Sequence, residues 1–213
     1  MKLADYFKNF VPILMVVVLY IIAIFIIIIP YFHQQLLNQK KETIKELTVN
    51  SISLLEYFNK QVEKGVFNVD TAKEVAKNEI KSLRYGKDLK DYFWIIDTSA
   101  KVIMQPYQPQ IIGDDLTDYK DVKGNFLFRE IIETTEKNEN GFVDYTWQWK
   151  DDPSKTALKV SYVHLFKPWA WIVGSGFYVK DVEHELSVIK RKIFYFSIIV
   201  ICYYFFAFAI YFL

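Results

Sequence analysis

The chain has 213 residues, 52% of them hydrophobic and 18% aromatic, with 26 basic against 25 acidic side chains and a net charge of +1. So even a balance argues against nucleic acid as a partner, which would need a basic surface. A single cysteine, Cys202, excludes a disulfide framework and a thiolate metal site.

The first element is an uncharged apolar run, Phe10–Ile29. About 20 residues at about 1.5 Å rise give about 30 Å, the thickness of a bilayer's hydrocarbon core. No small-x-small site follows it, so it reads as an uncleaved anchor rather than a signal peptide. A second uncharged run, Ile193–Leu213, closes the chain and contains Cys202. All basic residues but Lys2 and Lys8, and all acidic residues but Asp5, lie between the two runs. The expected organisation is a short cytoplasmic segment 1–9, a transmembrane helix 10–30, a globular domain 31–192 and a second transmembrane helix 193–213. Lys2 and Lys8 favour a cytoplasmic N-terminus, whereas Lys190, Arg191 and Lys192 favour the opposite face. Lysines and arginines snorkel at either interface, so the middle domain is placed outside the cytoplasmic membrane.

Between the runs, 31–64 has neither Gly nor Pro. Leu37, Ile44, Ser51 and Phe58 recur every seven residues, and Leu47, Leu54 and Leu55 share their face. The pattern predicts a long amphipathic helix ending at Gly65. A second helix begins near Asp70 or Thr71, with Thr71 and Glu74 at capping-box spacing. After Gly86 the period changes, and short aromatic or β-branched runs follow. Tyr92–Asp97 and Lys101–Gln105 read as a hairpin turning at Asp97–Ala100, and 125–137 as a short helix. Gly141–Trp149, Ala157–Phe166 and Trp169–Val179 read as three more strands, and 180–192 as a helix entering the second apolar run. The predicted fold is α+β: a long N-terminal helix and a five-stranded antiparallel sheet with helices on one face.

Enzyme chemistry finds no support. His33, His164 and His184 are scattered, and there is no nucleophile elbow, P-loop or dinucleotide fingerprint. No cofactor or metal is expected. What the residues do offer is a cation in an apolar strand. Lys159 would be costly to bury unless an anion pairs with it; it would otherwise lie at a sheet edge or pair with an acid. Tyr162 lies close to it in sequence. Tyr145 and Trp147 share a strand face by alternation, and with Tyr92 and Trp94 they would wall a pocket or serve as core. Arg84 would hold a carboxylate, cap a helix or bridge Asp88 or Asp91. Gln105 and Tyr107 sit at a strand end where a lid or a turn belongs.

Five blocks in order carry a resemblance. They are Leu83–Gly86 with Asp91–Ile95; Gly113–Leu116 with Lys123–Phe128; Gly141–Trp147; Lys159–Trp171; and Gly174–Val179. Over about residues 35–187 the chain resembles the single-Cache, PAS-like sensor domains of bacterial chemoreceptors and sensor kinases. Many of these have His-Pro where this chain has Gln105-Pro106, and Gly-Trp where it has Ala170-Trp171. The resemblance implies an extracytoplasmic sensor of small organic acids such as acetate, propionate, pyruvate or lactate, or of urea in one branch. It implies a homodimer formed through the N-terminal helix and a signal passed through the second span to a chemotaxis or two-component output. The competing reading is a membrane-anchored assembly protein with an unliganded fold. The chain would be either the front of a longer receptor or a stand-alone protein acting through partners.

Overall fold

The computed structural model describes the backbone of residues 3–212 and the side chains of residues 11–207 and 209–210. The side chains of Lys2, Asp5 and Lys8, and Leu213 at the end of the second apolar run, lie outside the described residues. Two units are described separately, one formed by 1–38 with 182–213 and one by 39–181.

In the first unit, α1 (Leu3–Ala23) passes through a π-helical turn, Ile24–Ile28, into the start of α2 (Ile29–Glu63). Among the described residues, the helical run Val11–Glu63 is the one long and apolar enough to cross a membrane, with a mean hydropathy of 3.3 in its most apolar window. Apolar side chains of that run, Ile21 and Phe25, and of the other segment, Phe194, Ile198 and Ile201, line a groove in this unit.

The second unit begins within α2. Ile44, Ser51 and Phe58, three members of the seven-residue stripe, are buried, as are Thr48, Ile52 and Leu55. The stripe therefore belongs to the domain's own core. The hydroxyls of Thr48 and Ser51 donate back to the carbonyls of Ile44 and Leu47, which lets polar residues sit on a buried helix face. Gly65 stops the helix at φ +74°, a left-handed conformation that costs a residue without a β-carbon little.

Helix α3 (Val69–Ser82) is capped not by Asp70 or Thr71 but by Asn68, whose Oδ1 accepts from the Thr71 amide at 2.7 Å. Its buried face is Ala72, Ala76 and Ile80, spaced i, i+4, i+8. The sheet follows: β1 (Arg84–Tyr85), β2 (Asp91–Asp97), β3 (Val102–Met104), then α4 (Leu127–Asn138), β4 (Asn140–Trp149), β5 (Asp152–Phe166) and β6 (Trp171–Tyr178). The chain leaves through α5 (Val179–Phe212). All pairings are antiparallel, in the order β1-β2-β6-β5-β4, with β3 also on β2. The five expected strands are present. The sixth, β1, has two residues, too few to show a period.

Alternation along β2 divides the sheet into two faces. Phe93 and Ile95 pack with Phe166, Trp171 and Val173 against Ile52, Leu55 and Phe58 of α2 and the small face of α3. Tyr92, Trp94 and Ile96 face the other way, with Val143, Tyr145, Trp147 and Val163, and are covered by Leu127, Phe128 and Ile131 of α4. Helices thus cover both faces, not one. Helix α4 is amphipathic, and the second apolar face of β2, whose five central residues are all buried, needs a cover too.

Candidate functional site

The site is on the α4 face. The hairpin turn is tied by Asp97, whose Oδ1 accepts from the amides of Ser99 and Lys101 at 2.8 and 3.0 Å. The long loop after β3 is tied by buried Asp121, which accepts from the amides of Lys123 and Asn125 and, across to β4, from that of Thr146 at 3.2 Å. These anchors hold the loop over Trp94 and Trp147. The Trp94 ring lies directly on Gly174, where an added β-carbon would come within 2.1 Å of it. Only a residue with no side chain lets β6 pass beneath that indole.

Lys159 is entirely buried in β5, facing this side with its ladder partners Tyr145 and Tyr178. Its Nζ has no hydrogen-bond partner. It lies 3.9 Å from the centre of the Tyr92 ring and 5.2 Å from that of Tyr178, a cation–π cradle. Burial pulls its pKa down to about 7; the Asp91 carboxylate opposes that pull and the Lys150 ammonium adds to it. Burial likewise raises Asp91 to about 6, against the attraction of Lys150 and Lys159. Tyr178 is pushed up to about 12 by burial, and Tyr145 is also held high, so both are hydroxyl donors. The Tyr145 hydroxyl meets Ser161 Oγ at 2.8 Å. Trp94 Nε1 is buried and points toward the Tyr145 hydroxyl without making an ordinary hydrogen bond to it.

Trp94, Gln105, Tyr145 and Trp147 line a small cavity with Met104 and Phe128, of about 20 Å³. About 10–15 Å³ holds one water, so the site as it stands has room for little more than one. The cavity ends at Tyr145, short of the Lys159 amine. Gln105 is buried and reaches the Tyr92 hydroxyl. Tyr107 stacks edge-on against Tyr92 at 4.9 Å and donates to the Lys90 carbonyl. Seven of the nine residues singled out from the sequence therefore converge: Tyr92, Trp94, Gln105, Tyr107, Tyr145, Trp147 and Lys159.

Two do not. Tyr162 is three residues from Lys159, an odd separation that turns it to the opposite face. There its hydroxyl donates to Asn140 and its ring packs on Phe142. Arg84 donates to the carbonyls of Lys81 and Leu83, closing the C-terminus of α3, and touches the site only through the Tyr107 ring. Sequence reasoning missed Ser161 and Tyr178, although both follow from the alternation through Lys159 and Gly174. It also missed Asp91 and Lys150. Among the described residues, no group of His, Cys, Asp or Glu is arranged to hold a metal ion.

An antiparallel sheet in PAS-like order, closed over an aromatic pocket with a buried amine, defines a Cache-type sensor domain. The chain belongs to the Single Cache domain 2 family, whose profile matches residues 36–192. It is 33% identical over 82% of its length to the methyl-accepting chemotaxis protein McpP of Pseudomonas putida. It is 32% identical over 71% to the sensor histidine kinase MctS of Rhizobium johnstonii. It spans about a third of each, 32% and 31%. A solved Cache chemosensory domain, described for its carboxylic acid recognition, superimposes with a TM-score of 0.64 at 35% identity, covering 69% of this chain and 98% of that one.

Proposed function

We propose that the domain is the extracytoplasmic sensor of a membrane receptor and that its pocket takes a short carboxylate of the acetate, propionate, pyruvate or lactate type. The observation that carries the reading is the buried donor without a hydrogen-bond partner, Lys159 Nζ. A buried ammonium without a hydrogen-bond partner calls for an anionic acceptor, and the neighbouring Asp91 carboxylate, which attracts it, does not hydrogen-bond to it. Urea, which brings four N–H donors of its own, would leave Lys159 without a countercharge. The solved relative described for carboxylic acid recognition supports the same class.

In this reading, 10–30 and 193–213 cross the cytoplasmic membrane and 31–192 lies outside it, and the pocket opens by movement of the Gln105–Gly113 loop. Homodimerisation would use the exposed side of α2, where Val49 and Tyr57 are 39% and 55% accessible, because the buried stripe is already occupied. The output would be that of a chemoreceptor or sensor kinase.

Titration calorimetry on the full chain in detergent tests the ligand class. Four heavy atoms at about −1.5 kcal/mol each limit acetate to a Kd of about tens of micromolar. Binding of these acids that is lost in Lys159→Met is the expected result. Heat from none of the four, or binding indifferent to Lys159→Met, would overturn it; heat from urea alone would favour the amide reading.

A further inference from the structure

Lys150 sits in the turn between β4 and β5, where a lysine ordinarily faces water, yet its side chain is only 6% exposed. Its Nζ is 2.8 Å from Asp88 in the loop before β2, 3.9 Å from Asp91 at the start of β2 and 2.9 Å from Asp181 in the first turn of α5. Its backbone is left-handed at φ 53°, a conformation a residue with a side chain keeps only where its surroundings hold it. Part of that hold is visible. The Lys150 amide donates to the Tyr178 hydroxyl at 3.1 Å, and that hydroxyl donates to the Gln148 carbonyl at 2.5 Å. The Tyr178 ring is also one wall of the Lys159 cradle. Lys159 and Lys150 thus share two neighbours, Tyr178 and Asp91.

We infer that Lys150 is the coupling residue of the sensor: it links occupation of the Lys159 pocket to the first turn of α5. The inference rests on the carboxylate reading above. Asp91 is attracted by both ammonium groups, and its Oδ1 has no hydrogen-bond donor. A carboxylate bound at Lys159 takes up that ammonium's field. Asp91 then turns wholly to Lys150 and competes there with Asp181. One anion added to two cations and three carboxylates in a sparsely solvated cluster must displace a carboxylate or bring in a proton. Asp181 is 30% exposed, so its release to water is cheap, and it lies on the helix that runs toward the second apolar segment. A charge arriving in the pocket becomes a loosened first turn of α5.

Hydrogen exchange on the full chain in lipid nanodiscs reads that turn through the amides of residues 179–183. In the wild type, saturating sodium acetate should speed their exchange about tenfold. In Lys150→Met the exchange should be fast already and unmoved by acetate at a concentration that saturates this variant. Lys150→Arg should restore the response, and Asp181→Asn, which keeps every cation in place, should reproduce the fast, unresponsive state. An acetate response in Lys150→Met and Asp181→Asn as large as in the wild type overturns the inference. If calorimetry shows that no acid binds, Lys159→Met removes the same charge without a ligand. It should then speed the turn in the wild type but not in Lys150→Met, and unchanged exchange in both rejects the coupling on its own account.

Discussion

On the α2–α3 face of the sheet, Phe93, Ile95, Trp171 and Val173 meet aliphatic helix residues, and the larger polar groups find partners save Nδ1 of the half-buried His164. Trp169 Nε1 donates to Asn59 at 2.9 Å, and the Tyr85 hydroxyl meets Ser175 Oγ at 2.6 Å. On the α4 face the same strands supply an equally apolar set, but set among it is an ammonium with no hydrogen-bond partner. The faces differ in charge. An imidazole nitrogen in a half-buried ring costs little to leave unmet, whereas a wholly buried ammonium is a cost that a fold carries only where something arrives to meet it. Hydrophobicity along the strands cannot tell a core from a pocket; an unmet buried charge can.

That contrast can be broken by substitutions on either face. Phe93→Ala, on the finished face, should cost about 3–5 kcal/mol of unfolding free energy; a variant that folds should still bind acetate normally, by denaturation and calorimetry. Lys159→Met, on the unfinished face, should do the reverse. Losing a charge-assisted bond of about 1.5–3 kcal/mol weakens acetate binding about 10- to 150-fold, while the free protein becomes more stable because an unpaired charge no longer has to be buried. A fall in stability as large as that of Phe93→Ala would erase the distinction.

The pH dependence sharpens the same point. In the unfolded chain Lys159 titrates near 10.5 and in the fold near 7. Between those values the unfolded state binds more protons, so the lysine's penalty, complete below about pH 7, is relieved as pH rises to about 10.5. The stability advantage of Lys159→Met should shrink by a few kcal/mol across that window; parallel wild-type and variant curves would contradict it. Acetate affinity, which needs the ammonium, should fall by up to about tenfold per unit as pH rises above about 7. Gly174→Ala should push the Trp94 ring into the cavity, costing about 1–3 kcal/mol and also weakening acetate. Asn68→Ala, remote from the pocket, should cost about 1 kcal/mol through its lost cap and leave the acetate Kd unchanged.

Much of this was legible. Runs of aromatic and β-branched residues bounded by turn residues locate β2, β4 and β6, and a lysine in an apolar strand flags Lys159. The failures have local causes. Trp169 was read as the start of a strand, but Pro168 holds it in a 3₁₀ turn with Ala170 left-handed. Tyr162 was grouped with Lys159 by nearness in sequence, although strand parity separates them. Asn68 was passed over as the cap because Asp70 and Thr71 are equally good capping types. Lys150, next to Asp151, Asp152 and Pro153, has the composition of a solvated turn. Its burial depends on Asp88 and Asp181, 62 and 31 positions away, and no local pattern announces a pairing over that span.

The π-helical turn at Ile24–Ile28 has its own consequence. Such a turn bonds i to i+5, so it houses one residue more than an α-helix needs to climb the same height. Removing a single isoleucine from this run should let the backbone relax to the ordinary helix, keeping the residues on either side in their present angular phase. Most one-residue deletions in a rod rotate everything beyond them by about 100°, since 3.6 residues complete a circle; here the rod carries a spare link.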